Sequence, residues 1–208
     1  TSSRSYSPDA QSAGRHAFRN PCLDLLAAGG DKTELQRAFR QFEDADNMTD
    51  RMAALAVLSQ HAAPEREQAL AAFEKQYRDD PLVMDKWFAV QARIPEADAL
   101  ERVRQLMQHP GFSMTNPNRV RALIGVFAAG NPSQFNRPDG AGYAFLADSV
   151  LALDSKNPQV AARLLASLKS WRMLEPKRRA LAEKELQRIA KTPGLSPDVA
   201  DIATRSLA

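Results

Sequence analysis

One cysteine, Cys22, stands among 208 residues, so no intrachain disulfide can form and no thiolate cluster can hold a metal. That usage fits a reducing compartment, and a cytoplasmic protein is expected. Glycine is scarce, with 9 residues, and aromatics make up 7%. The remaining text is rich in Ala, Leu, Arg and Glu, which favours helices and leaves few of the β-branched or aromatic runs that strands need. Neither sign of charge dominates: 28 basic residues face 25 acidic ones, a net charge of +3. They are interspersed, with no basic arm or stripe of the kind that follows nucleic acid, so no nucleic-acid partner is expected. The most apolar stretch, around Val120 to Gly130, falls far short of the roughly 20 residues that span a bilayer. No membrane segment is expected.

The motifs of common active sites are also missing. There is no H-E-x-x-H, and His16, His61 and His109 are too scattered in sequence to pair as zinc ligands. No G-x-S-x-G, no P-loop and no glycine fingerprint after a strand occurs. Cys22 sits in Cys-Leu-Asp-Leu-Leu and reads as a small core residue. The acidic run Glu43-Asp44-Ala45-Asp46 lacks the glycine and the later glutamate of a calcium loop, and reads as a solvated turn. Lys177-Arg178-Arg179, followed by Glu183, Lys184 and Glu185, reads as a solvated helix face. No catalytic residue and no metal ligand is assigned to this chain.

What is present is helical spacing, cut by Pro, Gly and Asn into about eleven segments. Pro8 to Ala28 reads as a first helix that Pro21 should kink or split. Asp31 caps a second, with the stripe Leu35, Ala38, Phe39 and Phe42. Helices then start near Asn47, Pro64, Pro81 and Glu96. Asn116-Pro117 opens a clear one carrying Val120, Leu123, Ile124 and Phe127. Asn131 to Gly142, with two Pro and two Gly, is the longest irregular segment and the best candidate for a functional loop. Helices from Tyr143, Pro158, Glu175 and Ser196 complete the chain. Taken in pairs they form units of roughly 35 to 45 residues, the size of HEAT or armadillo repeats. The expected fold is therefore all-α, a superhelical array of antiparallel helix pairs, with a plain bundle as the alternative. Residues 1–7 read as a frayed or expression-derived terminus. Residues 8–208 form one helical-repeat domain, with room for two sub-bundles.

Two arginines stand out by position. Arg121 follows Asn116-Pro117-Asn118-Arg119-Val120, so the first turns of that helix carry two cations where the macrodipole favours anions. Free N–H groups at a helix start, with an arginine fork beside them, can hold a carboxylate. Arg163 follows Asn157-Pro158-Gln159-Val160 in a similar way, though beyond the first turn. An ordinary surface ion pair is the competing reading for both.

Several strings then carry more than periodicity. They are Asp46-Asn47-Met48-Thr49-Asp50, Leu82-Val83-Met84-Asp85-Lys86-Trp87-Phe88, and Asn116-Pro117-Asn118-Arg119-Val120-Arg121-Ala122-Leu123-Ile124-Gly125. Gly140-Ala141-Gly142-Tyr143-Ala144-Phe145-Leu146 and Asn157-Pro158-Gln159-Val160-Ala161-Ala162-Arg163-Leu164 follow in order. In this sequence they resemble the C-terminal domain of the bacterial aminopeptidase N type, in the M1 zinc metallopeptidase family, with Arg19-Asn20 and Cys22-Leu23 near its start.

The resemblance implies a helical-repeat domain that closes over a catalytic domain and limits access to small peptides. It implies zinc in the full-length enzyme and none in this chain. The expected partners are the catalytic domain of the same enzyme and peptide substrates, with Arg121 and Arg163 at the positions of arginines that reach the substrate channel. The zinc motif and the Gly-x-Met-Glu-Asn string of that family are absent here, so this chain alone is expected to be inactive. A free-standing α-solenoid that binds a protein or peptide is the alternative reading. A third, a metal site built from the scattered histidines, predicts bound zinc.

Overall fold

The computed structural model describes residues 9–208, and the expected terminus 1–7 lies outside them. Helix starts follow one recurrent device, a polar cap followed by proline. Asp80-Pro81, Asn116-Pro117, Asn131-Pro132, Asn157-Pro158, Glu175-Pro176 and Ser196-Pro197 each place a side-chain acceptor at the N-cap and proline in the first turn. The acceptor satisfies N–H groups that the helix cannot. Proline loses nothing there, because its missing N–H would have had no partner and its fixed φ already suits the helix.

The described residues form two compact units that divide between Asp79 and Asp80. In the first are α1 (Ala10–Ala27), α2 (Lys32–Asp44), α3 (Met48–Ser59) and α4 (Pro64–Tyr77). Helix α3 packs on α1, α2 and α4, and Leu35, Ala38, Phe42, Leu55, Leu58, Leu70 and Phe73 form the core. Helix α1 is one helix that runs through Pro21 unsplit. Its two halves are both tied down. Before Pro21, His16, Arg19 and Asn20 bond to Asp50 of α3, and after it Leu23 and Ala27 are buried. Those contacts offset the lost backbone bond.

The second unit holds α5 (Pro81–Ala92), α6 (Ala99–Leu106), α7 (Pro117–Val120), a π turn (Arg121–Gly125), α8 (Val126–Gly130) and the single turn α9 (Pro132–Phe135). Then come α10 (Ala141–Asp154), α11 (Pro158–Leu165), two 3₁₀ turns, α12 (Pro176–Ala190) and α13 (Pro197–Leu207). Helix α10 packs on α11 and α12, α13 packs on both of these, and α5 packs on the π turn and α8. Among the described residues there is no strand, so the fold is all-α, as composition indicated. Val120, Leu123, Ile124 and Phe127 are all fully buried, which is the stripe read from the sequence. No helix among the described residues is long and apolar enough to cross a membrane.

The Asn131–Gly142 segment is held by packing. The Asn131 amide donates to the carbonyls of Ala92 and Ile94 at 3.0 and 2.8 Å. Phe135 is buried, and Arg178 reaches the carbonyl of Asn136 at 2.5 Å. Gly140 has φ +74, and a Cβ on Gly142 would stand 2.1 Å from the Phe135 carbonyl oxygen. The two glycines of this segment therefore serve a left-handed turn and a close backbone approach, and Pro132 opens a helical turn.

Candidate functional site

Asn116 sets the geometry around Arg121. Its side-chain oxygen accepts from the N–H groups of Asn118 and Arg119 at 3.0 and 3.3 Å, which fixes the start of α7. Residues two apart on a helix point to opposite sides, so Arg119 and Arg121 part company. Arg119 turns inward and is 6% exposed. Its guanidinium donates to the carbonyls of Gly111 (2.7 Å) and Pro81 (2.8 Å) and to Asp85, and lies over the Phe88 ring. Arg121 turns outward and is exposed. It donates to Asn118 Oδ1 on its own helix, leaving other donors of its fork open to a ligand.

Arg121 also opens the π turn, in which Val126 N–H donates to the Arg121 carbonyl five residues back. Single π turns inside α-helices recur at functional positions. Gly125 ends the turn and faces α11: a Cβ there would lie 3.5 Å from Leu164 Cδ2 and 3.9 Å from Arg121 Cβ. Arg163, the neighbour of Leu164, is exposed on α11. Among the described residues no hydrogen bond, ion pair or ring contact engages it. The structure thus sets Arg121 and Arg163 on adjoining elements of one unit, both exposed.

The other candidates are accounted for locally. His16 donates from Nδ1 to the two Asp50 oxygens at 2.9 and 3.0 Å, and Asn20 and Asn47 add donors at 3.1 and 3.3 Å. That buried carboxylate clamps α1 to α3. His61 sits beside Gly30, in the first unit. His109 packs tilted against Trp87 and edge-on to Phe88 in the second, and its Nδ1 accepts from Gly111 N–H at 3.0 Å. Among the described residues no three His, Cys, Asp or Glu side chains gather as metal ligands. Cys22 is a free, part-exposed thiol, less buried than its sequence context implied. Arg178 is more engaged than a solvated face suggests, since it ties α12 to the Asn136 carbonyl.

The described residues are all-α, helix packed on helix, the class of helical-repeat domains. The whole chain, residues 1–208, matches the family model described as a domain of unknown function (DUF3458_C) of ARM repeats. It belongs to that family. Aminopeptidase N of Caulobacter vibrioides is 47% identical over 202 residues, which cover 97% of this chain and 23% of that protein. Aminopeptidase N of Escherichia coli is 38% identical over 203 residues, covering 98% of this chain and 23% of that protein. A crystal structure of Legionella pneumophila aminopeptidase A in complex with aspartic acid shares the fold with a TM-score of 0.89 at 31% identity. It covers 100% of this chain and 25% of that one. The chain thus spans about a quarter of the length of these relatives and corresponds to the C-terminal part of aminopeptidase N.

Proposed function

We propose that this chain is the C-terminal capping domain of a cytoplasmic M1 zinc aminopeptidase, closing the catalytic chamber and helping to hold the peptide without supplying the catalytic groups. The observation that carries this reading is the match along 97% of the chain to a protein of which it spans 23%. Zinc, the polarised water and the general base that peptide hydrolysis requires belong, in this reading, to the remainder of the polypeptide. The role of this chain is to exclude bulk water, limit access and offer Arg121 and Arg163 to the far end of the substrate, where a peptide carboxylate would suit an arginine fork.

Two experiments test it. The isolated chain, treated with chelator and repurified, is expected to leave alanyl and arginyl reporters intact; hydrolysis would refute a dependent domain. In the full-length enzyme, Arg121→Ala or Arg163→Ala is expected to raise KM for peptides about tenfold, the loss of one charge-assisted hydrogen bond of ~1.5 kcal/mol. Reporters with no C-terminal carboxylate should be unaffected. Equal effects on both substrates would remove the carboxylate role.

The free-standing scaffold predicts polar exposed faces. Against it, Phe18, Leu25 and Leu26 of α1 are 76%, 75% and 55% exposed.

A further inference from the structure

Asn118 and Arg121 stand three residues apart, on one flank of the helical run that starts at Pro117. Both are exposed. The Asn118 backbone is fixed first, because its N–H donates to the Asn116 side chain at 3.0 Å and its carbonyl accepts from the Arg121 N–H. The Asn118 side chain then receives Arg121 Nη2 on its Oδ1. A guanidinium carries donors alone, so the amide turns its oxygen to Arg121 and its NH2 group away. Among the described residues nothing accepts from that NH2 group, and no carboxylate engages Arg121.

For the stability of the helix a carboxylate at position 118 would be the better choice. It would suit the positive end of the macrodipole and would pair with Arg121 as an ion. It would also cancel the charge. The amide holds the guanidinium and leaves its full positive charge available. A side chain restrained in this way before the ligand arrives has less rotamer freedom to lose on binding. The open guanidinium N–H groups and the amide N–H groups adjoin, a donor set matched to the two oxygens of a carboxylate.

We propose that Asn118 is a positioning residue for Arg121, holding the guanidinium oriented for the C-terminal carboxylate of a peptide without neutralising it. The proposal rests on the reading of Arg121 as a substrate contact. It adds that position 118 sets how strongly that carboxylate is held.

The experiment measures kcat and KM of the full-length enzyme with one peptide in two forms, a free C-terminal carboxylate and a C-terminal amide. Asn118→Ala is expected to raise KM for the free peptide about threefold, the effect of one exposed neutral hydrogen bond. Asn118→Asp should raise it about tenfold or more, since an ion pair then occupies Arg121 and a like charge faces the ligand. That loss should shrink as salt is raised. Both effects should fall on KM and not on kcat, and should be absent with the amidated peptide. Melting temperature separates this from a structural role: Asn118→Asp should be at least as stable as wild type while binding worst. With Arg121→Ala in place, Asn118→Ala should add nothing.

A wild-type KM for Asn118→Asp, equal losses on both peptides, or additive effects of Asn118→Ala and Arg121→Ala would overturn the positioning role. If Arg121→Ala distinguishes the two peptides and the Asn118 variants do not, this inference fails alone. If Arg121→Ala does not distinguish them, the carboxylate role in the proposed function fails and takes the inference with it.

Discussion

Arg119→Ala removes a guanidinium with only 7% side-chain exposure that donates to two backbone carbonyls and to Asp85. Breaking a buried ion pair from one side costs about 3–5 kcal/mol, mostly because the partner charge is left without compensation. Here Asp85 keeps 20% side-chain exposure, and Gly111 and Pro81 are exposed residues, so water can reclaim part of the loss. The lower end, about 3 kcal/mol, is therefore expected. With a urea m-value of about 2 kcal/mol/M, the midpoint should fall by about 1.5 M. Both tryptophans, Trp87 and Trp171, are buried in the second unit, so their fluorescence follows the unit that is perturbed. Arg119→Lys should fall between the two, because an ammonium can reach Asp85 but cannot serve three acceptors as a planar fork does. Arg121→Ala, two residues away and exposed, should change stability by less than about 0.5 kcal/mol. A loss below about 1 kcal/mol for Arg119→Ala, or a fully stable Arg119→Lys, would refute the assignment of Arg119 as the anchor of this region.

Two glycines predict opposite outcomes. Gly142→Ala drives a Cβ to 2.1 Å from the Phe135 carbonyl oxygen, with the Phe135 carbonyl carbon and Cα at 2.8 and 2.9 Å. Backbone cannot yield cheaply there, and a loss of at least about 2 kcal/mol in the tryptophan-monitored transition is expected. Gly125→Ala meets only ordinary contacts at 3.5 Å and beyond, so it should be neutral or gain up to ~1 kcal/mol from helix propensity. A pH series on Glu175→Gln tests a cap. The N–H groups of Arg178 and Lys177, at 2.9 and 2.8 Å, hold the Glu175 carboxyl below its usual range. A depressed folded-state pKa gives stability that is present above the ordinary glutamate pKa and is lost as pH falls through the depressed value. The wild type should therefore exceed Glu175→Gln in melting temperature at neutral pH, with the difference closing in acid. A pH-independent difference would show that charge plays no part. Tyr143→Phe removes the donor to Asn136 Oδ1 at 3.0 Å, and should cost about 1 kcal/mol in the same transition.

Much of the fold was legible because its signals are local. The Asx-Pro, Glu-Pro and Ser-Pro pairs mark helix starts by chemistry that needs no neighbour, and the Val120, Leu123, Ile124 and Phe127 stripe marks a buried face by period alone. The misreadings arose where a distant residue decides. Pro21 spoils a helix in isolation, yet Asp50, about thirty positions on, holds α1 together. The Pro- and Gly-rich Asn131–Gly142 segment reads as irregular in sequence, yet Ala92 and Ile94, about forty positions back, hold its start through the Asn131 amide.

Arg119 and Arg121 illustrate the same limit at the candidate site. Each lies one residue from Val120 and so about 100° from it on the helix, on opposite flanks of the buried stripe. By period they are equivalent. What separates them is α5, where Asp85 and Phe88 stand three apart, share a face and receive one guanidinium from the side where Arg119 lies. Once that arginine is committed to the core, its counterpart is left on the open flank, at the head of a π turn that packs on α11, the helix that carries the exposed Arg163. The division of labour follows from the receptor on α5: substitutions at Arg119 should be read in unfolding curves, and those at Arg121 in the kinetics of the enzyme proposed to contain it.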